Sequence, residues 1–308
     1  MEANDCEEPI GAEIPLKCSP VFQLANEIAQ APFRAAPEKA ASLKDMTAGV
    51  YVKFLLTDSR FVFDVSGKEI RVSTGALNLL WAASYAYWLI YQGYRSAQQN
   101  GCTEYNPSMD AVASEALRLY EWSLNAAMGS KFELWPSTLP HPQPNPVPES
   151  LLAVANELFL VAVAWIFLHE VGHVTYDHTA EPIGPRALQE EQEADKFASD
   201  WLLNGLSDEA LIQKRSLGIA AANVVLVALD LGVGTFHSKT HPPSYERAHR
   251  NLRFRQLEEE HMVHAFMTVL LQFHLTVFER EHQLSPDAPF HGMFDDLCFQ
   301  LGRNQKPR

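Results

Sequence analysis

The sequence predicts a mainly α-helical domain that carries one small antiparallel β-sheet and is built around a single, very apolar helix. Three observations carry this. Most of the chain reads as long stretches with apolar residues at helical spacing. Strand-type segments are confined to residues 50–73. The most apolar run, Leu151–Leu168, leads directly into His169-Glu170-Val171-Gly172-His173, a His-Glu-x-x-His string. With 308 residues, 47% of them hydrophobic, the chain can bury a large core.

Residues 1–48 are acidic, Ala-rich and interrupted by Pro, and read as a partly disordered N-terminal extension with a short helix over 21–30. Residues 49–308 read as one domain. Val50–Leu56 and Phe61–Val65, joined by Thr57–Arg60, predict a β-hairpin; Ser66–Lys68 turns the chain into a third strand, Glu69–Ser73. The edge strand of this sheet either pairs with an extended substrate or only packs the sheet on the helices. A helix follows over 76–98, whose Trp81, Tyr85, Trp88 and Tyr91 form a core stripe, then another over 109–128, opened by Pro107-Ser108. The Pro-rich loop 135–148 cannot be helical and delivers the chain, stiff and extended, to the motif helix near Glu149-Ser150. Gly184-Pro185 opens a helix to Leu203; further helices are predicted over 210–231, 244–260, 262–281 and 292–301. His261, His264, His274, His282 and His291 in the last of these read as structural or solvated.

Composition narrows the function. There are 24 basic against 38 acidic residues, a formal charge of −14. An acidic surface excludes nucleic acid as the main partner and disfavours an anionic membrane. Cys6, Cys18, Cys102 and Cys298 are far apart and form no CxxC pair, which argues against a disulfide framework or a cysteine zinc site and fits a cytoplasmic location. The acidic N-terminus lacks the basic and apolar parts of a signal peptide. Leu151–Leu168 is interrupted by Asn156 and Glu157, and Ala76–Tyr91 and Leu217–Leu229 are short for a span, so all three read as buried helices.

The chemistry is concentrated around the motif. On a helix, His169 and His173 lie one turn apart on one face and can bind one metal ion, with Glu170 placed beside it as a general base for a bound water. His178 is not at the third-ligand position of the long metzincin string: position 176 is Tyr rather than Gly, and 179 is Thr rather than His. The third ligand therefore comes from elsewhere. In the helix from Pro185 to Leu203, Glu191 and Asp195 lie one turn apart beside an apolar face of Ala194, Phe197, Ala198, Trp201 and Leu202. Glu191 completes a His2Glu zinc site with a fourth position open; Asp195 accepts the outer N–H of a ligand histidine. Glu190 and Glu193 read as solvated. His241 sits at a loop-to-helix junction, where it can be aimed at a cleft.

Three segments together resemble the gluzincin metallopeptidases: HEVGH, then Glu191-x-x-Ala194-Asp195, then Thr240-His241-Pro242-Pro243 with Arg247 six residues after the histidine. The HtpX-like peptidases share the three motifs in this order, but their transmembrane flanks match poorly. The length, the Trp- and Tyr-rich helix after a small sheet, and Ala164-Trp165-Ile166 leading into HEVGH are closer to the Lit-type phage-exclusion peptidases. The motifs cover residues 150–250, with similarity back to about residue 50. The resemblance implies a zincin-like fold with one Zn2+ per chain on His169, His173 and Glu191, and Glu170 as general base. Asp195 supports a ligand, His241 stabilises the oxyanion and Arg247 supports its loop. It implies an endopeptidase acting on a protein or peptide substrate in phage exclusion, with a translation elongation factor as the substrate of its relatives and an activating peptide or phage factor as a further partner. The alternatives are a non-catalytic sensor or binding protein that keeps the fold, and a membrane-associated HtpX-like processing peptidase.

Overall fold

The computed structural model describes residues 19–303 apart from 103, 130–132, 179–183, 235, 237–240, 254–256, 258–260 and 286–287. Three short helices, α1 (Ala25–Ala29), α2 (Ala31–Ala35) and α3 (Ala40–Met46), precede strands β1 (Tyr51–Leu55), β2 (Phe63–Ser66) and β3 (Glu69–Ser73). Then come α4 (Thr74–Gln99), α5 (Ala111–Met128), α6 (Leu151–Thr175), α7 (Pro185–Leu203), α8 (Glu209–Val233), α9 (Ser244–Arg253), α10 (Met262–Val277) and α11 (Phe290–Arg303). The predicted class, mainly α with a small sheet, is the class observed.

The apolar run forms α6, capped by the Ser150 hydroxyl, which accepts the Ala153 N–H. A helix apolar on every side must be covered on every side. α6 is covered by α2, α4, α7 and α8. α6 and α8 are long and apolar enough to cross a membrane, but 67% and 72% of their most apolar windows are buried within the protein, so the core uses that apolarity. Asn156, buried on α6, accepts from Trp81 Nε1 at 2.8 Å and donates to the Gln143 carbonyl at 2.7 Å. This ties α4, α6 and the Pro-rich loop together. Trp135 of that loop packs against Trp81 and Trp122.

Two expectations are corrected. The N-terminal stretch from Ser19 is folded, not an appendage. Val21, Leu24, Ile28 and Leu43 are buried in the main core. Lys39 donates to the carbonyls of Asp200, Trp201 and Asn204, a cation set on the C-terminal end of α7. Arg215 on α8 holds Glu38 with two hydrogen bonds, at 2.7 and 3.0 Å. The domain therefore begins before residue 49; residues 1–18 lie outside the described residues.

The sheet is mixed rather than antiparallel, and β1 and β2 are not a hairpin. The order is β1-β3-β2, with β1 parallel to β3 (Tyr51 opposite Glu69) and β2 antiparallel to it (Phe63 opposite Val72). The reason lies after β1. The Ser73 hydroxyl donates to the Arg60 carbonyl, Thr74 donates to the Leu56 carbonyl, and the Gly75 N–H donates to the Asp58 carbonyl. These bonds pin residues 56–60 to the start of α4, so the chain cannot turn back along β1. Gly75 allows this, because a Cβ there would lie 1.7 Å from the Ser59 oxygen.

A polar cluster closes the far side of the core. His274 of α10 is fully buried, with Nε2 2.8 Å from the Tyr87 hydroxyl and 3.2 Å from that of Tyr120. Burial lowers its pKa to about 3. The folded protein keeps His274 neutral, while the unfolded chain takes up a proton below about pH 6.5. Stability from this site is therefore complete above about pH 6.5 and declines as pH falls towards 3, by up to about 1.4 kcal/mol per pH unit. With chelator present, thermal melts of His274→Gln should lose less stability between pH 7 and pH 5 than wild type; an equal loss would refute this assignment.

Candidate metal centre

Two helices build the site. α6 ends in the histidine motif, and α7 lies directly against it. Gly172, inside the motif, permits the approach: a Cβ there would stand 3.1 Å from the Ala194 Cα and 3.3 Å from the Phe197 side chain. The contact brings Glu191 over the two histidines. His169 Nε2 and His173 Nε2 are 3.1 Å apart, and Glu191 approaches them at 3.4 and 3.3 Å. One ligand atom from each of the three falls within 4.8 Å of the others, a group able to hold a metal ion. Among the described residues, Glu191 Oε2 is buried without a hydrogen-bond partner.

The surroundings are ordered from behind. His169 Nδ1 is 3.0 Å from Asp195 Oδ1. Arg247 of α9 grips Asp195 in a fork, Nε to Oδ2 at 2.9 Å and Nη2 to Oδ1 at 2.7 Å, and lies 3.6 Å from Glu191. All three are buried. His241, half-exposed, sets Nε2 3.5 Å from Glu191 Oε1. Glu170 is buried one residue along from His169. The residues singled out in the sequence, His169, Glu170, His173, Glu191, Asp195, His241 and Arg247, thus come together from α6, α7 and the start of α9.

The charges suit a cation. Burial opposes charge on His169, but Glu191 and Asp195 outweigh it and raise its pKa to about 10. Surroundings that hold a proton so firmly also favour a metal ion in its place. Burial works against ionising Glu191, yet His169, His173 and Arg247 hold its pKa well below the carboxylate range. Asp195, under the same opposition from burial, is brought down to about 2 by Arg247 and His169. Glu170 goes the other way: burial lifts it to about 7.

A model of the peptidase U49 family matches residues 70–267, more than half of the chain and all of this site. The chain belongs to the peptidase U49 family. It is also 30% identical over 265 residues to the "Cell death peptidase" of Escherichia coli (strain K12), covering 83% of this chain and 88% of that protein. No solved structure gives a significant match. This U49 chain is thus a peptidase, in keeping with its resemblance to Lit-type enzymes, and the His169–His173–Glu191 triad is its candidate metal centre.

Sequence reasoning passed over three neighbours of the triad. His178 sets Nδ1 2.9 Å from His173 Nδ1 and Nε2 3.1 Å from Glu193 Oε2, so Glu193 is partnered although partly exposed. Glu190 is buried rather than solvated, with Arg186 on its carboxylate at 2.8 Å. Asp64 on β2 adds a like charge that helps raise Glu170. The His178 and Asp64 contacts depend on a turn and a strand whose placement is not readable from sequence; Arg186 and Glu190 are four apart on α7, but the burial of that side of the helix comes from its packing.

Proposed function

We propose that this U49 peptidase is a zinc-dependent endopeptidase of the cytoplasm that cleaves a protein substrate in phage exclusion. The observation that carries the reading is the triad: two imidazole nitrogens and a carboxylate converge, with carboxylate support behind His169 and a buried glutamate next to it. The donor set fits zinc, which takes His2Glu with a fourth position left open. Zinc held there would supply a Lewis acid and an acidified water.

The chain's own residues provide the rest. Glu170, with its pKa near neutrality, is suited to accept a proton from the attacking water and return it to the departing amine. Asp195 and Arg247 hold His169 and Glu191 in place. His241, at the exposed side of the site, is placed to donate to the substrate carbonyl oxygen as charge develops, an effect on the order of 3–4 kcal/mol. β2 packs on α6 through Phe63 and Phe167, rings 5.4 Å apart, and is an edge of the sheet. An extended peptide paired with that edge runs past the motif. The endopeptidase assignment, phage exclusion and an activating peptide or phage factor rest on the Lit-type resemblance; the name of the Escherichia coli relative supports a peptidase.

The test is a proteome-wide comparison of new N-termini in cells expressing wild type or Glu170→Gln, with and without phage challenge. The reading expects termini produced only by wild type, and more of them after challenge. Identical termini in the two strains under both conditions would count against it.

A further inference from the structure

The two candidate ligand histidines are held from behind in different ways. His169 meets the Asp195 carboxylate directly. His173 meets a second imidazole, His178, which in turn meets the Glu193 carboxylate. We propose that His178, oriented by Glu193, is a positioning residue for the metal site: it fixes His173 as the tautomer that carries its proton on Nδ1 and presents a bare Nε2 to the metal. The proposal rests on the metal reading above.

The backbone places His178. α6 ends at Thr175, Tyr176 is its C-cap, and Asp177 takes a left-handed conformation, φ 52°. The His178 N–H then bonds the His173 carbonyl at 3.0 Å, and the Asp177 N–H bonds that of Val174 at 3.3 Å. This pair of bonds is the Schellman closure of a helix, usually made with glycine in the left-handed place. Here it returns the chain so that residue 178 lies over residue 173. The His178 side chain is only 5% exposed, and its ring meets that of His173 edge-on, centroids 5.0 Å apart.

Hydrogen-bond chemistry sets the direction. An ionised carboxylate accepts and cannot donate. Glu193 Oε2 therefore accepts a hydrogen bond from His178 Nε2–H, while Gln189 donates to its other oxygen at 2.8 Å. A neutral imidazole with its proton on Nε2 has a lone pair on Nδ1. That lone pair faces His173 Nδ1 at 2.9 Å, so His173 Nδ1 must be the donor. His173 Nε2, 3.3 Å from Glu191 and 3.1 Å from His169 Nε2, is then the nitrogen that can give up its proton to a metal ion. The opposite tautomer would place lone pair against lone pair at His178 and a proton where the metal belongs. Glu193 thus does at one remove for His173 what Asp195 does for His169.

The test compares zinc affinity, by chelator competition, of wild type, His178→Phe and His178→Asn. Ring-nitrogen NMR of His173 is recorded in the same proteins without metal. His178→Phe keeps a ring and removes the acceptor; His178→Asn restores an oxygen acceptor near the Nδ1 position. Expected are an unchanged apo melting temperature, zinc affinity lowered about 10–100-fold in His178→Phe, and recovery of most of it in His178→Asn. The NMR should show His173 protonated on Nδ1 in wild type and His178→Asn, and a mixture of tautomers in His178→Phe. Unchanged affinity in His178→Phe overturns the proposal. Equal losses in both variants overturn it as well, since they would indicate packing rather than hydrogen bonding. A wild type that binds no zinc sinks the metal reading, and the His173 tautomer in that protein still decides the positioning claim.

Discussion

Glu170→Gln is expected to keep its metal and to lose cleavage, by roughly 10²–10⁴-fold in kcat, the range for removing a positioned general base. The loss corresponds to about 3–5 kcal/mol of barrier. Glutamine matches the shape of the glutamate but has no basic oxygen to accept the proton. Metal retention is expected because the triad of His169, His173 and Glu191 does not include Glu170. KM should change little if substrate is held by other surfaces, so kcat and kcat/KM fall together. Single-turnover cleavage with metal analysis on the same preparation checks both halves. Undiminished cleavage would exclude Glu170 as the base; loss of the metal would show that it helps hold the ion.

Arg247→Met should be the most destabilising change at the site, by about 3–5 kcal/mol. The guanidinium is buried and makes a two-bond fork to Asp195, itself wholly buried, while also facing Glu191. Removing it leaves two buried carboxylates without their fixed cation. The melting temperature should fall on the order of 10 °C. The double change Arg247→Met with Asp195→Leu should recover much of that stability, because no buried charge is then left alone. It should not recover metal affinity, because His169 has lost the carboxylate behind Nδ1. Equal melting temperatures for wild type and Arg247→Met would refute the electrostatic role given to this pair.

Much of this was legible as local pattern. The strong apolarity of α6, broken only by Asn156 and Glu157 before the motif, announces a buried helix, and the spacing of His169 and His173 announces a shared face. Glu191 and Asp195 are one turn apart, so a helix places both together, and Gly184-Pro185 marks where that helix begins. What the pattern could not show is what depends on contacts between distant segments. The pairing of β1 with β3 is decided by Ser73, Thr74 and Gly75 holding residues 56–60, and alternation alone is silent on partners. The first helices are five to seven residues long and broken by Pro, so their periodicity is too short to read; their burial comes from α6 and from Glu38 and Lys39 reaching α8 and α7. His178 escaped for a third reason: its position follows from a left-handed residue at the end of α6, where no glycine marks it.

The proposed function turns on Glu191 joining His169 and His173 around one metal ion. The most direct measurement is the metal content of purified wild type and Glu191→Ala, with cleavage assayed on the same samples. The account predicts close to one zinc per chain in wild type, a large fall in Glu191→Ala, and activity that follows the metal. Full zinc retention in Glu191→Ala would remove Glu191 from the site. A wild type that cleaves its substrate undiminished after its metal has been stripped would contradict the account altogether.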